Sequence, residues 1–152
     1  MLRFNRGARA AGGLMRRCAH WDNDMSWFTR KKEAPERAHW REQFESAASG
    51  LRRADLASQV AVGHSINLAN SLMLERFGTL DAFRALPKPE KLEYLDKIAA
   101  MKDDLSQRDP HAALGFILYG MWLATVVEDD VELSDQFAAV LATYSRKGDI
   151  GV

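Results

Sequence analysis

The chain has 152 residues, 47% of them hydrophobic and 28% charged, with a formal net charge of zero. That is enough chain for one domain with a real core and is ordinary globular composition. The one cysteine, Cys18, excludes an internal disulfide framework and fits a reducing compartment.

The neutral balance is unevenly spread. Residues 1–32 hold eight basic side chains against two acids, leaving 13 basic and 19 acidic residues, a net of −6, in the remainder. A basic leader over residues 1–33 therefore precedes an acidic body over 34–152, read as a single helical domain. Arg3, Arg6, Arg9, Arg16 and Arg17 recur with no acid before Asp22. An Arg-rich, acid-free segment able to form a basic amphipathic helix looks like a mitochondrial targeting sequence, although serine is absent from it. A competing reading starts the functional chain at Met25, as a cytoplasmic helical regulator or chaperone-like binder. Trp27 and Phe28, next to Arg30, Lys31 and Lys32, form a cluster suited to an acidic partner or a membrane surface. Membrane contact is expected only through this N-terminal segment.

The body reads as helices throughout. Pro35 to about Gly50 carries Trp40, Phe44, Ala47 and Ala48 at helical spacing, with Gly50 suited to the position past the helix end. Asp55 to Phe77 follows, closed by Gly78, with Val62, Ile66, Ala69, Met73 and Phe77 on its apolar face. Its other side carries Gly63, His64, Asn67, Asn70 and Ser71. His64, Asn67 and Ser71 stack at i, i+3, i+7, a polar line that a ligand or a partner helix could use. It is not a catalytic triad, because no carboxylate is placed in sequence to orient the imidazole.

A short helix is expected after the Thr79 cap, ended by Pro87 and Pro89. An amphipathic helix runs from Pro89 to about Arg108 on Leu92, Leu95, Ile98, Ala99 and Leu105. The stretch Pro110–Val127 then holds no charge unless His111 is protonated. It is apolar on every side, so it is a buried core helix or a membrane span. A span wants about 20 apolar residues with basic flanks. This stretch is shorter and exits into Glu128, Asp129 and Asp130, which favours a core helix. Gly120 and Ala124 make a small-residue face for close approach of a neighbouring helix. The last helix is expected from Val131 to Arg146, capped by Asp130 or Ser134 and stopped by Gly148.

The expected fold is thus all-α, about five helices packed round a buried central helix at 110–127, with a basic extension. No catalytic motif, no cofactor loop and no metal-ligand spacing stands out. The acidic run Glu128–Asp135 lacks the spacing of a calcium loop. The acidic body argues against nucleic acid as a partner. The expectation is a non-enzymatic accessory subunit that binds other protein subunits. A small-molecule site or enzyme built on His64 is the weaker alternative.

Overall fold

The computed structural model describes residues 35–150, which form six α-helices and no strand. The chain divides after Glu45 into two units, of which the described residues hold 35–45 of the first and 46–150 of the second. The first helix, α1 (Pro35–Arg52), crosses that division. In the first unit it buries Phe44, as its periodicity predicts. In the second it buries Ala48 and Leu51.

α1 does not stop at Gly50. It runs on to Arg52, and Gly50 has nothing within 4 Å of where a Cβ would stand. The carbonyls that a helix end leaves open are collected by a side chain from the next helix. Gln59 Nε2 donates to the carbonyl oxygens of Leu51, Arg52 and Ala54 at 3.1, 3.4 and 3.2 Å.

The second unit holds the other five helices: α2 (Leu56–Phe77), α3 (Leu80–Arg84), α4 (Lys88–Ser106), α5 (Pro110–Val127) and α6 (Val131–Ile150). Short capping residues set their starts. The carboxylate of Asp55 accepts from Ser58 N at 2.8 Å, Thr79 Oγ1 from Ala82 N at 3.0 Å and Asp109 Oδ1 from Ala112 N at 3.2 Å. Asp130 caps α6, accepting from Leu133 N at 3.1 Å, whereas Ser134 is buried one turn in. Gly78 ends α2 at φ +89°, a conformation in which glycine carries no steric cost. α4 begins at Lys88, one residue ahead of Pro89, because both Pro87 and Pro89 fit a helix start that needs no donor.

α5 is the buried centre. Twelve of its 18 residues are buried, and it packs against α2, α4 and α6. Phe116, Leu118, Tyr119 and Leu123 are at most 2% exposed, each contributing about 1.5–3 kcal/mol by leaving water. It is the one described helix long and apolar enough to cross a bilayer, and its burial among other helices is that of a core element. A satellite cluster closes one end, where Phe77, Phe83 and Tyr94 meet edge-to-face at centroid distances of 5.0–5.9 Å. Lys91 is buried beside it and donates from Nζ to the Arg84 carbonyl at 3.1 Å, satisfying the end of α3.

α6 overruns its expected stop. Gly148 lies inside the helix, which continues to Ile150. The reason is packing. Gly148 sits where α6 crosses α2, against Gly63. A Cβ on Gly63 would collide with the Tyr144 carbonyl oxygen and come within 2.7 Å of Gly148 N. A Cβ on Gly148 would collide with the Gly63 carbonyl carbon and stand 2.5 Å from His64 N. The two backbones touch because neither residue has a side chain, so the glycine marks a crossing, not a helix end.

Candidate functional site

α2 carries most of the polar groups singled out in the sequence, and the fold separates them. Gly63 is buried in the α6 crossing. Asn67, half-buried, is committed to the same crossing. Its Nδ2 donates to the Ser145 carbonyl at 3.1 Å and to Asp149 Oδ1 at 2.9 Å. Its Oδ1 accepts from the Ser145 hydroxyl. One amide thus holds the last turns of α6 through three hydrogen bonds.

Two more polar contacts join α2 to α5. Ser65 Oγ donates to the Ala112 carbonyl at 2.6 Å, and Gly115 lies so near that a Cβ on it would stand 2.5 Å from Ser65 Cβ. The Tyr119 hydroxyl donates to Asn70 Oδ1 at 3.0 Å. Burial, with a smaller contribution from Tyr94, pushes the Tyr119 phenol far above its ordinary value of 10.

His64 and Ser71 are placed differently. Both are exposed, on the side of α2 turned away from α5 and α6. Of the line His64, Asn67, Ser71, the middle member therefore serves helix packing, and the outer two stand on an open surface.

That surface is the feature the reading of single residues missed. From Leu56 to Leu74 no Asp, Glu, Lys or Arg occurs. Ala57, His64, Leu68 and Ser71 are exposed along it, Ala61 and Leu72 half-buried, with Leu68 at 53%. Ala57, Ala61, His64, Leu68, Ser71 and Glu75 follow the alternating four-and-three spacing of a helix–helix seam. The outer faces of the other long helices in this unit look ordinary beside it. α4 exposes Glu90, Glu93, Asp96, Lys97, Asp103 and Asp104, and α6 exposes Glu132, Asp135 and Arg146. The available signal was the length of the charge-free run, which equals that of many core helices.

The remaining expected residues are soon placed. Gly120 and Ala124 are buried in α5. The acidic run is spent on structure: Glu128 pairs with Lys88 at 3.2 Å, and Asp130 caps α6. Asp129, at φ +59°, makes the turn between α5 and α6. No group of three His, Cys, Asp or Glu suited to a metal ion occurs among the described residues. Among them too, Trp122 Nε1 is buried without a hydrogen-bond partner. Arg3, Arg6, Arg9, Arg16, Arg17, Trp27 and Phe28 lie outside the described residues. No family model matches this sequence, and neither curated proteins nor solved structures give a significant match.

Proposed function

We infer that this protein is a non-enzymatic helical interaction protein, an accessory subunit of a larger assembly, and that α2 presents its binding face. The observation that carries this is the outward side of α2, uncharged over 19 residues from Leu56 to Leu74, with Leu68 half out of the surface. A helix face that met only water would be expected to carry charge, as α4 and α6 do here. Apolar surface with few charges is the compositional mark of an interface core.

The basic segment with Arg3, Arg6, Arg9, Arg16 and Arg17 supports a mitochondrial address for that assembly. Partners are other protein subunits. The −6 balance of the body beyond residue 32 gives no support to nucleic acid as one of them.

The test is the native size of the protein. Fractionated from its source under mild detergent, it should migrate with a complex well above its own 17.1 kDa. Leu68→Lys should move it to the monomer fraction with its melting temperature unchanged. Migration of the wild-type protein as a free monomer overturns the reading.

A further inference from the structure

We propose that the occupant of the α2 face is a second copy of this chain, docked antiparallel to the first. This rests on the reading of that face as an interface and names its partner. Two complementarities on the face itself point to the same arrangement.

The first is charge. The face is neutral between Leu56 and Leu74, but its two ends are not. Arg53 stands exposed just before the helix, with Asp55 two residues on spent on the α2 cap. Glu75 stands exposed on the seam one residue past the neutral run, with Arg76 beside it held over the Phe77 and Tyr94 rings. Turning one copy end for end brings Arg53 of each chain toward Glu75 of the other, at both ends of the contact. A parallel pair would instead set Arg53 against Arg53 and Glu75 against Glu75. Arg53 also donates from Nη1 to Ser49 Oγ at 2.7 Å, which ties its guanidinium to the last turns of α1.

The second is size. The N-terminal half of the seam is small, with Ala57 and Ala61. The C-terminal half is large, with Leu68 flanked by Leu72. Antiparallel pairing lays Leu68 of one copy over Ala61 of the other, twice, and His64 falls beside the two-fold axis. Such a contact is isologous: the same patch serves both chains and closes on itself.

The seam is about 28 Å long at 1.5 Å per residue. One helix pair of that length buries less than the ~1,200 Å² of a standard stable interface. The pair is therefore at the small, transient end of protein interfaces. It is sensitive to salt, because its end charges lie at the exposed rim.

The full chain is examined by sedimentation velocity over a concentration series. The expected result is a monomer–dimer equilibrium that Leu68→Lys weakens at least tenfold. Arg53→Glu and Glu75→Arg should each weaken it as well, since each sets like charges together. An equimolar mixture of those two variants should pair at wild-type strength or better. His64→Cys, in a Cys18→Ser background, should form an intermolecular disulfide under mild oxidation, whereas Gln136→Cys on the outer side of α6 should not. Circular dichroism and unchanged melting temperatures show that the variants fold.

A wild-type monomer at every concentration overturns the proposal. So does a dimer indifferent to Leu68→Lys, or a mixture that fails to recover pairing. A monomeric purified protein whose Leu68→Lys variant still drops out of a larger native complex overturns self-pairing alone and leaves the interaction reading standing. The face then belongs to a different subunit.

Discussion

The two sides of α2 are built from similar residues and have opposite fates. The side toward α6 uses Gly63 and Asn67; the side away from it uses Ala57, Ala61, His64 and Ser71. Both are short, polar or small, and free of charge. One is interlocked with a neighbouring backbone, the other is open. Small uncharged residues on a helix thus mark a place of close approach without saying whether the approaching helix belongs to the same chain. What separates the two sides is the presence of Gly148 in α6, 85 positions further on from Gly63.

That contrast can be broken most severely at the crossing. Gly63→Ala or Gly148→Ala drives a methyl group into backbone atoms, which cannot yield as a side chain tip does. Overpacking of this kind costs about 3 kcal/mol or more. For a unit of this size that is a fall in melting temperature of at least about 12 °C. Calorimetry should show it, and the same change at Gly50, with open space around it, should do nothing of the kind.

A smaller effect comes from the α2–α5 contacts. Tyr119→Phe loses the hydrogen bond to Asn70, costing about 1 kcal/mol at neutral pH. It should also change the pH profile. The phenol's proton is held more tightly in the folded protein than in the unfolded chain, so the folded state gains nothing extra below pH 10. As pH rises past 10 the unfolded chain ionises while Tyr119 does not, and stability falls. Tyr94, shifted upward by burial in the same direction, acts likewise. Denaturant titrations above pH 10 should show a shallower loss for Tyr119→Phe than for the wild type.

The sharpest comparison lies along α2 itself. Asn67→Ala should destabilise by about 1–2 kcal/mol, because it leaves Ser145 and Asp149 without their partner. His64→Ala and Ser71→Ala, one turn away on the open side, should stay within about 0.5 kcal/mol. Equal losses at all three would mean that the outward side of α2 is covered within the folded chain.

Much of the helical plan is legible in the residues. Asp55, Thr79 and Asp109 cap the helices they precede, and the charge-free 110–127 stretch is the buried centre. The errors gather at glycines. Gly50 and Gly148 read as helix stops because glycine is common just past a helix end, yet both lie inside helices. A glycine admitted for close backbone approach looks the same in sequence as one admitted for a left-handed turn. Only the third dimension, which brought Gly63 to Gly148, tells them apart. The fate of Asn67 was hidden for the same reason, since its partners Ser145 and Asp149 lie 78 and 82 residues away. Nothing local announces such a contact.

The crossing also has a consequence for how the molecule is made. A ribosome that has finished α2 has produced a helix whose α6-facing edge, with Gly63 and Asn67, has no partner, and that edge keeps none until the last turns of α6 have been added. Contacts of such long sequence separation are slow to close, because much chain must be ordered first. The α6-facing and outward sides of the Leu56–Leu74 run are therefore uncovered through the synthesis of α3, α4 and α5, while the side carrying Ser65 and Asn70 is closed by α5. During that interval this stretch is exposed apolar surface of the kind that makes unfinished chains prone to aggregate. Closure of α6 over Gly63 ends the interval on one side only.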